Sequence, residues 1–310
     1  MLTPCASIDL GTNSARLLIG TVDSRSTIRS LFVQRLITRL GGGFTKEIGL
    51  SQESRARSLD VLSNFAKEIK RHGVTHVRAA ATSAVRDAAN GKEFIAEVYR
   101  QTGILLEVID GHEEGLLTLR GIFTGIRGEG DAFIFDIGGG STEYTLAHDG
   151  TSLYTKSLPL GVVRLAEGKG NIPAMQDKIE RELESLLSGL KRAGFPTFPP
   201  GTTLIGTAGT PTTLAGIDLG VSDYASRSVH EHILSFDVIK KIYTRILPLT
   251  SEQRLLVPGI ERGREDLIVA GTLITIRTME KFGFNFLTVS ESGLLEGLLL
   301  SLQSDVGISE

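Results

Sequence analysis

Asp9-Leu10-Gly11-Thr12-Asn13-Ser14 and Asp136-Ile137-Gly138-Gly139-Gly140-Ser141 set Asp, Gly and Ser at the same offsets, 127 positions apart. Each copy follows a short apolar run, Ala6–Leu10 or Ala132–Asp136, and precedes a second, Arg16–Thr21 or Thr142–Ala147. Both therefore read as strand, tight glycine turn, strand. Glycines let backbone N–H groups converge on one anion while the strand-end carboxylate holds a cation against it. A lone D-x-G-x-x-S is an ordinary hairpin, since Gly and Asp are common turn formers; duplication at matched offsets makes it a candidate for phosphate binding. No Walker A sequence competes, because Gly91-Lys92 runs into Glu93 and Gly168-Lys169 into Gly170. No G-x-G-x-x-G opens a βαβ unit either, so P-loop and dinucleotide readings lack support.

A chain of 310 residues with 41% hydrophobic content is long enough for two domains, each with its own core. The net charge of −3 gives weak global attraction to nucleic acid or anionic membrane, so any polyanion site must be built locally. Neither is expected as a partner. No apolar run reaches 18 residues, and even Gly293–Gln303 is interrupted by Glu296. The single cysteine, Cys5, excludes an internal disulfide, and a cytoplasmic setting is expected.

The order of elements predicts an α/β protein. After the first hairpin come a strand at Ile28–Ile37, a helix from Ser51 with Leu59, Leu62, Phe65, Ala66 and Ile69 at helical spacing, a strand at Val77–Ala81, a helix around Phe94–Tyr99, a strand at Leu105–Ile109 and a helix from His112 to about Phe123. The second half repeats the opening. An Asp149-Gly150 turn leads to a strand at Leu153–Leu158, a polar helix at Met175–Ala193 and a rigid Pro-rich connector, Phe195–Pro200. Beyond it lies a strand at Thr203–Ile205, then Gly206-Thr207-Ala208-Gly209-Thr210-Pro211, where Thr210 is expected to cap a helix opened by Pro211. Helices at Phe236–Leu247 and Asp266–Phe282, a strand at Phe286–Val289 and a helix from Gly293 complete the chain. Gly125, Gly128 and Gly130 mark a boundary, giving domains 1–125 and 126–310, with the last helix, 293–303, free to pack back on the first; the two are expected to close on a cleft.

These motifs, together with Ala81-Thr-Ser-Ala-Val-Arg86, Gly111-His-Glu-Glu114, Leu158-Pro-Leu-Gly161, Arg264-Glu-Asp266 and Val289-Ser-Glu-Ser-Gly293-Leu-Leu-Glu296-Gly297, run nearly end to end. In them the chain resembles the exopolyphosphatase and guanosine pentaphosphate phosphohydrolase family, of the superfamily of actin, sugar kinases and heat-shock chaperones. The resemblance implies two actin-like (ribonuclease H-like) domains with mixed sheets flanked by helices and an active site in the interdomain cleft. It also implies the short form, without the C-terminal His-Asp-type domain of longer members. Leu295 stands where an Arg is common, which puts a C-terminal contribution to phosphate binding in doubt, and Thr12 replaces a common Ser while keeping the hydroxyl.

Phosphoanhydride hydrolysis needs a positioned water, a base, a cation and donors that hold the transferred phosphoryl. The turns Gly11, Thr12, Asn13, Ser14 and Gly138, Gly139, Gly140, Ser141, with Gly209 and Thr210, are the candidate phosphate-binding set. Glu113 and Glu114 open a helix, where acids suit the dipole; the resemblance implies Glu114 as the catalytic base. Arg86 could fork onto phosphate oxygens. Asp136, with Asp9 and Glu143, is the candidate set for Mg²⁺, with Mn²⁺ as the alternative. His230-Glu231-His232 lacks the spacing of a helical zinc site. The expected activity is release of terminal phosphate from inorganic polyphosphate; hydrolysis of guanosine pentaphosphate is the alternative, a small-molecule kinase or an actin-like filament protein stand behind it, and homodimerisation is open.

Overall fold

Residues 2–45, 47–221 and 229–305 are described by the computed structural model. They divide into two compact units, Met1–Gly125 with Ser292–Glu310, and Ile126–Glu291.

In the first unit β1 (Cys5–Leu10), β2 (Ser14–Val22) and β3 (Ile28–Ile37) form an antiparallel meander. α1 (Gln52–Arg71) then crosses to β4 (His76–Ala81), which pairs parallel with β1. α2 (Ser83–Arg86) and α3 (Gly91–Thr102) lead to β5 (Leu106–Val108), parallel to β4, and α4 (Gly111–Ile122) closes the series. The sheet order is β3-β2-β1-β4-β5. α1 forms where expected because the Ser51 side chain accepts from the Ser54 amide at its start and Leu59, Leu62, Phe65 and Ile69 share its buried face. Full burial of a side chain such as Phe65 contributes about 1.5–3 kcal/mol.

The second unit repeats this plan. β6 (Asp131–Ile137), β7 (Thr142–His148) and β8 (Thr151–Leu158) form the meander, followed by α5 (Val162–Lys169) and α6 (Ile172–Arg192). β9 (Thr203–Thr207) joins β6 in parallel, and α7 (Gly209–Leu219) follows it. β10 (Ile233–Ser235), α8 (Phe236–Ile246), α9 (Ser251–Arg254) and α10 (Ile268–Phe282) precede β11 (Phe286–Val289), parallel to β9. The order is β10-β11-β9-β6-β7-β8. Without the short edge strand β10, this matches the first sheet strand for strand, so both units share one mixed α/β plan and the duplicated hairpins occupy corresponding places. α11 (Leu294–Asp305) belongs to the first unit, where it packs on α4 and against β1 and β2.

The Pro-rich stretch is anchored as well as stiff: Phe198 lies 4.5 Å from Phe133 and 5.7 Å from Phe282 between ring centroids. Asp149 and Gly150 have φ of 46° and 75°, the left-handed pair that a two-residue hairpin requires. Beside them His148 Nδ1 lies 2.9 Å from Asp131 Oδ1 and Nε2 3.3 Å from Asp149 Oδ2. The Asp131 hydrogen bond, then the charges of Asp149 and Asp131, raise the His148 pKa above its ordinary 6.5. A raised folded-state pKa means the contribution is complete below about pH 6.5 and is lost as pH rises through the folded value. An NMR titration should place His148 above 6.5 and return it towards the ordinary value in Asp131→Asn; an unchanged midpoint in that variant would remove the pair as the cause.

No described helix is long and apolar enough to cross a membrane. Glu296, which interrupts the apolar run of α11, accepts from the Gly293 amide at 2.7 Å and so caps the helix. Leu295 is fully buried with Leu18, Leu299 and Leu300, and its carbonyl accepts from the Ser7 hydroxyl at 2.7 Å. Its role is core packing.

Candidate active site

The two glycine turns share one backbone design. Gly11 N donates to Ser14 O at 3.0 Å, and Gly138 N to Ser141 O at 3.0 Å. Their glycines are not explained by left-handed φ, since none of Gly11, Gly138, Gly139 and Gly140 has a positive φ. Close approach accounts for Gly138 and for Gly161 behind the turn. A Cβ on Gly138 would meet Ser141 O at 3.0 Å, and one on Gly161 would run into the backbone of Gly139 and Gly140.

Each turn is backed by a later segment. The Thr12 carbonyl accepts from Gly41 N at 2.8 Å, and Asn13 O from Thr38 N and Arg39 N at 3.0 and 2.9 Å. In the second unit Gly138 O accepts from Val162 N at 3.1 Å and Gly139 O from Val163 N at 2.9 Å, at the start of α5. In a trans peptide the N–H following a carbonyl points the opposite way. The amides of Asn13 and Ser14, and of Gly139 and Gly140, are thus aimed away from the backing segments, as an anion cradle requires.

Around these shared turns the side chains differ. In the second unit the register sets Asp136 opposite Glu143, with Glu143 opposite Ser157. Glu143 is 2% exposed and its Oε1 accepts from Ser157 Oγ at 2.7 Å. In the first unit Asp9 stands opposite Arg16. Directly opposed cross-strand residues share a face, so one hairpin presents two carboxylates and the other a carboxylate with a guanidinium. Sequence reasoning passed over Arg16; aligning the two motifs two residues past the shared Ser would have shown it at the place of Glu143. Among the described residues no three of His, Cys, Asp and Glu converge into a metal-binding group. Of the expected set, Asp136 and Glu143 share one hairpin of the second unit and Asp9 stands on the matching hairpin of the first; hard carboxylate oxygens of this kind suit Mg²⁺, an ion that takes one or two carboxylates and keeps several waters.

The neighbouring glutamates Glu113 and Glu114 have separate environments. Asp110 caps α4 by accepting from His112 N and Glu113 N at 2.9 and 2.8 Å, and these hydrogen bonds, that from Glu113 first, hold its pKa below the ordinary carboxylate value. Glu113 is half exposed and its Oε1 lies 2.7 Å from Arg78 Nη2. Glu114 is buried, its side chain 9% exposed, with Oε2 3.3 Å from Arg86 Nη1, and the same nitrogen donates to Ile109 O at 3.0 Å. Arg86 ends α2, whose first residue, Ser83, shares a 3.0 Å hydroxyl contact with Thr12. The Thr12 hydroxyl thereby ties the first turn to the helix that carries Arg86, while its methyl fills the space left by Gly41.

At the start of α7, Ala208 has φ 66° and ψ −159°, a strained conformation for a residue with a Cβ and one that concentrates at functional sites. Arg264 Nη1 donates to the Gly209 carbonyl and, at 2.8 Å, to Thr213 Oγ1, and the guanidinium would lie 2.9 Å from a Cβ on Gly209. Thr210 departs from expectation. The helix begins at Gly209 with Ala208 at its cap and no side-chain capping bond, and the Thr210 side chain is buried against Gly271 of α10. The helix thus starts two residues earlier than Pro211 suggested, with Arg264 against its first turn. His230 Nδ1 accepts from Glu291 N at 3.2 Å and His232 Nε2 lies 2.7 Å from Asp218 Oδ2, structural roles for both.

A family model described as the Ppx/GppA phosphatase family matches residues 18–305. The chain belongs to the Ppx/GppA phosphatase family. Exopolyphosphatase 2 of Mycobacterium tuberculosis is 32% identical over 320 residues, which cover 97% of this chain and 99% of that protein. The bifunctional 3-dehydroquinate synthase/phosphatase of Fusobacterium nucleatum is 30% identical over 95% of this chain, which spans only 46% of that longer protein. Among solved structures, the Aquifex aeolicus member of the Ppx/GppA family is 32% identical with a TM-score of 0.80, each chain being covered in full.

Proposed function

We propose that this Ppx/GppA family member is an exopolyphosphatase that releases terminal orthophosphate from inorganic polyphosphate, using Glu114 as base. The observation that carries the reading is Glu114 itself, a buried carboxylate held 3.3 Å from Arg86 at the N-terminus of α4. A carboxylate held in one orientation is suited to accept the proton of an attacking water. Arg86, whose planar fork matches phosphate oxygens, is suited to the charge that develops on the transferred group. The turn amides of Asn13, Ser14, Gly139 and Gly140, with the Gly209 end of α7, supply donors for phosphate. Asp136, with Asp9 and Glu143, would hold Mg²⁺ or, in its place, Mn²⁺; the ion would neutralise charge on the phosphoryl oxygens.

Backbone donors read phosphate and not what lies further along the molecule, so a nucleotide 5′-triphosphate group also fits them. Polyphosphate is favoured because no residue at these turns reads guanine. Phosphate release from polyphosphate and from guanosine pentaphosphate, measured side by side, tests the assignment; far faster turnover of the nucleotide would transfer it. Gel-resolved products should shorten one phosphate at a time, whereas a ladder of mid-length fragments would indicate internal cutting and overturn the end-acting reading. Activity is expected to vanish in EDTA and return with Mg²⁺, and Asp136→Asn is expected to be inactive or to need far more metal. Full activity in EDTA would take the cation out of the reaction.

A further inference from the structure

Arg78 is not among the residues the reaction calls for, yet it holds the helix that carries the base. From β4 its Nε reaches Glu107 Oε1 on β5 at 2.5 Å and its Nη2 reaches Glu113 Oε1 on α4 at 2.7 Å. It is the least exposed of the three, at 19% against 43% for Glu107 and 46% for Glu113. β4 lies inside the sheet, between β1 and β5, so Arg78 projects from one of the more rigid parts of this unit. The first turn of α4 is therefore tied to the β4–α2 segment twice, at Glu113 by Arg78 and at Ile109 and Glu114 by Arg86.

Resting on the reading of Glu114 as base, we propose that the Arg78–Glu113 ion pair is a positioning device that fixes the first turn of α4 and thereby the carboxylate of Glu114. A half-exposed ion pair contributes little to global stability. Catalysis is far more sensitive to geometry: an ångström of misplacement from a residue that never touches substrate costs as much as ~10²-fold. Loss of this pair should thus show in turnover and hardly in folding.

Arg78→Ala and Glu113→Ala are each expected to lower kcat ~10-fold with KM within about twofold, at a temperature where circular dichroism shows both fully folded. The double variant should be no slower than either single one, because the two side chains act as one unit, and Arg78→Lys should recover part of the loss. Wild-type kcat in Arg78→Ala, or losses that multiply in the double variant, would overturn the proposal. Amide hydrogen exchange at Glu113, Glu114 and Gly115 supplies a readout independent of turnover. Faster exchange in both variants supports the device, and unchanged exchange overturns it. A wild-type protein that released no phosphate from any substrate would sink the reading of the base while leaving the exchange result standing.

Discussion

Glu114→Gln is expected to lower kcat by ~10²–10⁴ while leaving substrate binding largely intact. Glutamine keeps the volume of the side chain and an oxygen that can accept from Arg86, so the buried contact between α2 and α4 survives in shape. What it removes is the capacity to take a proton from water. Because Glu114 is buried and Glu113 half exposed against Arg78, the two adjacent positions should differ sharply: the glutamine variant at Glu113 retains an acceptor for Arg78 and should lose far less. Phosphate-release kinetics with both variants, alongside thermal melts to show that each is folded, make the comparison. Turnover within threefold of wild type in Glu114→Gln, or a dead Glu113→Gln beside an active Glu114→Gln, would mean that the base lies elsewhere.

The largest effect on folding is expected at Gly121. α4 and α11 approach so closely that a Cβ on Gly121 would lie far under 3.0 Å from the Gly293 carbonyl, and one on Gly297 equally close to the Leu117 carbonyl. Both obstacles are backbone, which cannot swing aside. Alanine in a helix is worth up to ~1 kcal/mol over glycine through its propensity, but forcing a methyl into a packed contact costs typically ~1–3 kcal/mol and more where the backbone itself must move. Overlap should win. Gly121→Ala is therefore expected to lose ~2–4 kcal/mol net and to lower the melting midpoint by ~5–10 °C, and Gly297→Ala to behave alike. A variant as stable as wild type would show that α4 and α11 can separate at little cost. Since α4 also carries Glu114, a folded but weakened variant should lose turnover as well.

Much of this could be read from the residues. Ile28–Ile37 is bounded as β3 because its run of β-formers has turn signals on both sides, and α1 starts after Ser51 because a serine caps it. α5 escaped because Val162–Lys169 is short, ends in glycines and depends on carbonyls of a turn more than twenty residues earlier. β10 escaped for a similar reason: three residues have no period, and only pairing with β11 makes them a strand. The glycine turns were legible as motifs, but their reason was not, since close approach by Gly161 or by Gly41 depends on segments distant in sequence. At Thr210 a sound local rule, a hydroxyl residue before proline, lost to Arg264, which settles on the Gly209 carbonyl from a distant loop. Cross-strand register, which separates Asp136 with Glu143 from Asp9 with Arg16, follows from the hairpins once they are drawn.

The backing of the turns bears on how such a motif can be transplanted. A graft of Cys5–Val22 alone would carry every residue of the first motif and none of the Thr38, Arg39 and Gly41 amides that hold its carbonyls. The same is true of Asp131–His148 without the first residues of α5. In a foreign scaffold those carbonyls would turn to water or to the ligand, and a loop able to present oxygens as well as N–H groups could no longer discriminate an anion from a cation. The smallest portable module is therefore a hairpin plus its partner segment, Cys5–Gly41 in one half and Asp131–Arg164 in the other.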